Sequence, residues 1–227
     1  MPAPTVVTAE ARALAYELAQ LLNSEASLNA MLDTLIRDAM PRAFANDPNL
    51  AQLEQRYPGI TRFVIHRVEP ELRRSALADL PQSWTDIGVI YASALSLSDL
   101  RESLAFFRGE AGTRLVAAMA EGFNFDQIAA DALRNPDGAV SPGAFGSALR
   151  GSVTSLTQRA SAADLQALNR FSLTPAGARM RMLTPRLAAY ASQAMNRRDA
   201  ANEAIVERIM EQAMRDFIAR KPSRPSA

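Results

Sequence analysis

No stretch of this chain alternates apolar and polar residues with a period of two. Where apolar residues recur, they recur every three or four positions. Half-buried strands need the first pattern and amphipathic helices the second, so the chain reads as all-α. Leu28, Met31, Leu32, Leu35, Ile36, Ala39 and Met40 trace one buried helix face, which Pro41 is expected to end. Composition agrees: 43 alanines favour helix, and only 6% aromatic residues leave little from which to build strands.

Prolines, glycines and small polar residues mark the helix ends. Thr8 caps a first helix with Leu14, Leu18, Leu21 and Leu22 on its apolar side. Asp47-Pro48 pairs an N-cap with proline in the first turn, where the missing N–H costs nothing, and Pro58-Gly59 closes that helix. Ile60, Val64, Val68 and Leu72 recur every four residues across Pro70, which predicts a kink or a restart there. Pro81 is expected to stop this row and Ser83 to cap the next helix. Residues 134–143 form a loop, from which Ser141-Pro142 launches another helix.

Residues 98–120 align with residues 163–185 at an offset of 65. Asp99, Leu100, Phe106, Ala111, Gly112 and Arg114 fall on Asp164, Leu165, Phe171, Ala176, Gly177 and Arg179. Agreement of so many residue types predicts two copies of a helical hairpin, over about 96–120 and 161–185. In each copy a serine (Ser98, Ser161) is expected to cap the first helix, and the aspartate to favour its positive end. The leucine and phenylalanine face the core. Thr174-Pro175 launches the second helix of the later copy. The Ala-Gly pair leaves room for the first helix of the same hairpin to come close. A phosphate loop is not indicated, because neither G-x-x-x-x-G-K-[ST] nor G-x-G-x-x-G occurs.

The pattern acid-Leu-x-x-Leu-x-x-Phe followed by (Pro)-Ala-Gly resembles the signature of bacterial domain-of-unknown-function family 2059. Residues 161–185 match best, through Phe171 and Thr174-Pro175-Ala176-Gly177. The earlier copy has Glu110 where the later has Pro175, and Ala120 where the later has Pro185. The resemblance covers about the central half of the chain. It implies a helical protein of the bacterial envelope with no established activity.

Candidate chemistry is sparse. The chain has no cysteine and one histidine, His66, which reads as a surface or half-buried structural residue among arginines. No metal-binding motif, serine-hydrolase elbow or cofactor motif is present, so no metal or cofactor is expected. Twenty-five basic residues against 24 acidic ones argue against nucleic acid as a partner. No run is long and apolar enough for a membrane span. Met1–Ala11 shows no signal-peptide pattern, so the expectation is periplasmic if a leader precedes this sequence and cytoplasmic if it is complete.

Pro185 to Arg220 contains no internal proline or glycine and predicts one long C-terminal helix. Asp199, Glu203, Glu207 and Glu211 fall every four residues on it, a candidate interaction strip partly balanced by Arg208 and Arg215. Met180, Met182, Met195, Met210 and Met214 fall in the same third of the chain and suggest an adaptable apolar groove. The sequence is thus read as one all-α domain over 1–220, built around the two hairpins, with a disordered tail at 221–227. The function it favours is a non-catalytic binding or protein-interaction module whose partner is a protein or an apolar small molecule, with a homodimer through the last helix as a further expectation. The alternatives are a hydrolase using carboxylates and arginines, with Asp99, Glu102, Asp164 or the acidic row at its centre, and a peripheral lipid or hydrophobic-ligand binder.

Overall fold

The structure, a computed structural model, describes residues 7–134, 139–197 and 200–220. The tail 221–227 and the middle of the 134–143 loop lie outside the described residues. Every described regular element is helical: α1 (Ala9–Leu22), α2 (Glu25–Thr34), a π-helical turn (Leu35–Ala39), α3 (Met40–Asn46), α4 (Pro48–Arg56), α5 (Ile60–Ala78), α6 (Leu80–Ala94), α7 (Leu97–Arg108), α8 (Glu110–Glu121), α9 (Asp126–Arg134), α10 (Pro142–Arg159), α11 (Ala162–Ser172), α12 (Pro175–Met182), α13 (Thr184–Asn196) and α14 (Ala200–Arg220). The protein is all-α. By their contacts the described residues gather into two compact units, one within 1–31 and 79–196 and the other within 32–78 and 197–227.

In the larger unit, Thr8 caps α1 by accepting a hydrogen bond from the Ala11 N–H. This helix lies antiparallel to α6. The Tyr16 backbone passes 3.2 Å from where a Cβ on Gly88 would stand, and Trp84 Nε1 donates to the Asn23 carbonyl at 2.8 Å. Against α7 it runs parallel, with Glu10 paired to Arg101 and Glu17 to Arg108. The groove between α6 and α7 therefore holds α1, and Leu18, Ala19, Tyr91, Leu100 and Leu104 are buried there.

In the smaller unit, Ile60, Val64 and Val68 of α5 pack with Ala213 and Phe217 of α14. Gly59, at φ +93°, makes the turn into α5 in a conformation that favours glycine. The Glu54 carboxylate receives the Gly59 and Thr61 N–H groups at 2.6 and 3.0 Å, which satisfies the start of that helix.

Several helix ends differ from the sequence reading. Pro41 does not stop its helix. It enters the first turn of α3 just after the π-helical turn, where the Met40 N–H reaches back to the Leu35 carbonyl. A π turn widens the helix locally and so accommodates a proline ring that would clash with a regular i−4 carbonyl. Pro70 lies inside α5 without a restart. Pro81 sits in the first turn of α6 rather than ending the row before it, because a proline there forfeits no hydrogen bond. The run 185–220 is two helices, with Arg197 non-helical between α13 and α14. At this end Asn196 is engaged elsewhere. Its Oδ1 accepts from the Val140 N–H and its Nδ2 donates to the Val140 carbonyl, both at 2.8 Å, and Ser192 Oγ donates to the same carbonyl at 2.6 Å.

Candidate functional site

The residues singled out by the alignment converge where α7–α8 and α11–α12 meet. The cap of α7 is Ser96, not Ser98. Ser96 Oγ accepts from the Asp99 N–H, and Asp99 Oδ2 accepts from the Ser96 N–H, a capping box that Ser98 stands too close to make. Ser161 caps α11 in the same way, accepting from the Asp164 N–H at 3.1 Å and donating to Asp164 Oδ2 at 2.7 Å. Ser96 and Ser161 are themselves 65 positions apart.

Each aspartate is then gripped by the arginine of the other hairpin. Arg179 Nη1 of α12 lies 2.6 and 2.5 Å from the two Asp99 carboxylate oxygens of α7. Arg114 of α8 meets Asp164 of α11 through Nη2 at 2.7 Å and Nε at 3.2 Å. Between the hairpins the Phe106 and Phe171 rings stack. At the corners, a Cβ on Gly112 would stand 2.3 Å from the Phe106 carbonyl oxygen, and one on Gly177 2.1 Å from that of Phe171. Ala176 is fully buried beside Gly177, Ala111 is half-buried and Pro175 is exposed. The close approach expected of the Ala-Gly corners is thus present in both.

These contacts decide what the carboxylates can do. Burial would raise the Asp99 pKa, but the Ser96 hydroxyl and N–H together with the Arg179 guanidinium outweigh it and hold the carboxyl below its ordinary value. Arg114, then Ser161, lowers that of Asp164 against a smaller effect of burial. A general acid near neutral pH needs the opposite shift. Both groups stay ionised and fully engaged, serving as joints between helices.

The other candidates do not assemble. Glu102 is half-buried on α7 and His66 is exposed on α5. Of the acidic strip, Glu207 and Glu211 are exposed, with Glu211 paired to Arg215 at 3.3 Å. Asp199 and the Glu203 side chain lie outside the described residues. The methionines are dispersed. Met180 packs in the larger unit's core, and Met182 and Met195 are exposed, while Met210 and Met214 border a cleft in the smaller unit with Phe44, Leu53 and Ile60. That cleft has a volume of about 10 Å³, room for a water and far below the ~300–1,000 Å³ of small-molecule pockets. Among the described residues no cluster of three or more His, Asp or Glu is placed to hold a metal ion, and no helix is long and apolar enough to cross a membrane.

Two features escape sequence reasoning. One is the crossing of the ion pairs, since an alignment does not say whether Arg114 meets Asp99 or Asp164. The other is exposure, with Leu173 at 76% and Val153 at 49%. Val153 falls on the apolar period of the helix that Ser141-Pro142 launches and Leu173 in the break before Pro175, and neither position announces exposure. Compared with family models, curated proteins and solved structures, the chain matches none.

Proposed function

We propose that this chain is a non-catalytic helical interaction module in which α6–α8 and α10–α12 are two copies of one three-helix unit, joined into a scaffold. The observation that carries this reading is the use made of Asp99 and Asp164. The buried carboxylates best suited to acid–base work are each capped by a serine and paired with an arginine, so they hold helices together. The residues that carry the resemblance of 161–185 to family 2059 include Asp164, Phe171, Ala176 and Gly177, which lie at this joint.

The experiment is a turnover assay of the full chain on simple ester, phosphate and glycan substrates. The expected result is no rate above buffer. A rate that Asp99→Asn or Asp164→Asn abolishes while the protein stays folded by circular dichroism would overturn the reading.

A further inference from the structure

We infer that the outer side of α12, with the corners at its two ends, docks on the surface of an anionic lipid bilayer. The inference rests on the interaction-module reading above and names what the scaffold meets. Leu173 and Met182 are the two most exposed large apolar side chains among the described residues, at 76% each, and they bracket this one helix. Ala176 and Gly177 are buried and Met180 packs in the core, which fixes the inner side of α12. Pro175, Ala178, Arg179 and Met182, spaced i, i+3, i+4 and i+7, therefore form its outer side. Leu173 precedes Pro175 by two residues and so stands within about 7 Å of it along the backbone. Pro185, also exposed, follows Met182 by three. Large apolar side chains are thus left in water at both ends of a two-turn helix, as on a surface built to meet a partner.

The charge of this stretch selects the partner. Residues 165–196 hold four arginines, Arg170, Arg179, Arg181 and Arg186, and no acid. Arg179 is committed to Asp99, and Arg186 donates to Ser93 Oγ at 3.2 Å. Arg170 and Arg181 are exposed, and among the described residues no acid pairs with either. On α7, which packs against α12, the acids are Asp99 and the half-buried Glu102. At the offset of 65 the same positions of the first hairpin carry other chemistry. Leu173, Pro175, Met182 and Arg186 stand where it has Arg108, Glu110, Ala117 and Glu121. The joint residues are alike in both hairpins, so the joint does not demand this change. The second hairpin has lost two exposed acids and gained two exposed apolar tips. An anionic bilayer uses both differences, because its headgroups draw arginine and its acyl boundary takes leucine and methionine. Nucleic acid would use the arginines alone. It would also find no aromatic ring to stack on here, since Phe171 is buried.

The test is co-sedimentation of the full chain with vesicles of phosphatidylglycerol and phosphatidylcholine in equal parts, beside vesicles of phosphatidylcholine alone. Pelleting with the anionic vesicles only is expected, and it should weaken as salt rises. Leu173→Gln combined with Met182→Gln should lower the partition coefficient about tenfold, through loss of inserted apolar area. Arg170→Gln combined with Arg181→Gln should lower it by about tenfold or more, at about fivefold for each arginine near an anionic surface. Val89→Gln removes the exposed valine of α6 and should leave it unchanged. All these side chains are exposed, and the single Met182→Gln variant repeats the first comparison if the pair does not fold. No pelleting with anionic vesicles would overturn the inference, as would equal pelleting with phosphatidylcholine alone or equal weakening by Val89→Gln. So would weakening by one pair only. The arginine pair alone would mark an acidic protein or nucleic acid met without insertion, and the apolar pair alone a neutral surface. Any of these outcomes without turnover removes the bilayer and leaves the module reading standing, while turnover removes the module reading whatever the vesicles show.

Discussion

Phe106 and Phe171 lie face to face, their ring centroids 4.3 Å apart and their planes 3° from parallel. The two residues hold corresponding positions, 65 apart, in their hairpins. The crossed pairs Asp99–Arg179 and Arg114–Asp164 join the same two helix pairs, α7–α8 and α11–α12. Each hairpin thus neutralises the buried acid of the other.

Removing either acid should loosen both hairpins. Asp99→Asn is expected to lower unfolding stability by about 1–2 kcal/mol, through loss of the capping box and of a pair whose arginine is half exposed. Asp164→Asn acts in the same direction. Arg179→Gln combined with Asp99→Asn should cost less than the sum of the two single changes, since they remove one shared contact. Thermal melts followed by circular dichroism measure this. Strict additivity would mean that the pair contributes no coupling.

The lowered pKa values of Asp99 and Asp164 predict how stability responds to acid. A carboxyl whose folded value lies below its unfolded value of ~3.9 stabilises fully above the unfolded value, and loses that contribution as pH falls through the folded one. Stability should therefore stay level from neutrality to about pH 5 as far as these groups are concerned, and decline below about pH 4. The Asp99→Asn, Asp164→Asn double variant should show a shallower decline in urea titrations across that range. An unchanged slope would place the acid sensitivity elsewhere.

Much of the helical punctuation was legible in the residues. Thr8, Asp47, Ser141, Ser161 and Thr174 cap where a hydroxyl or carboxylate precedes a helical period, because capping is a local hydrogen bond between near neighbours. Misreadings arose where several local signals competed or a distant group decided. Ser96 and Ser98 both precede Asp99, and only the three-residue spacing closes the box. Pro41 and Pro81 read as stops, yet a proline is as suited to a first turn as to the position after a last one. The break at Arg197 has no proline or glycine to announce it, and beside it Asn196 grips the Val140 backbone, 56 positions away. The exposure of Val153 and Leu173 was illegible for a related reason. Periodicity tells which side of a helix is apolar but not whether anything covers it.

Glycine substitutions should separate tight corners from idle ones. Alanine at Gly177 would drive a Cβ into the Phe171 carbonyl, and at Gly112 into that of Phe106, in both cases against backbone that cannot step aside. Each is expected to cost about 3 kcal/mol or more. Gly151, inside α10, has open space where a Cβ would stand, with nothing within 4 Å, so Gly151→Ala should stabilise by up to about 1 kcal/mol through helix propensity. Opposite shifts in melting temperature are the expected pattern. Equal shifts would mean that the corners relax.

Ser103 on α7 is fully buried, and its Oγ has no hydrogen-bond partner among the described residues. A hydroxyl removed from water without a partner costs free energy that a methyl group does not. Ser103→Ala should therefore stabilise the protein by about 1 kcal/mol, a rise of roughly 2–4 °C for a chain of this size. Ser103→Leu installs the residue found 65 positions further on, Leu168, which is only half-buried. At this fully buried position the added bulk has no space, and the change should cost about 1–3 kcal/mol. Differential scanning calorimetry of the three proteins distinguishes the two effects. If alanine destabilises, the hydroxyl has a partner in the folded protein and the packing around it differs from that described.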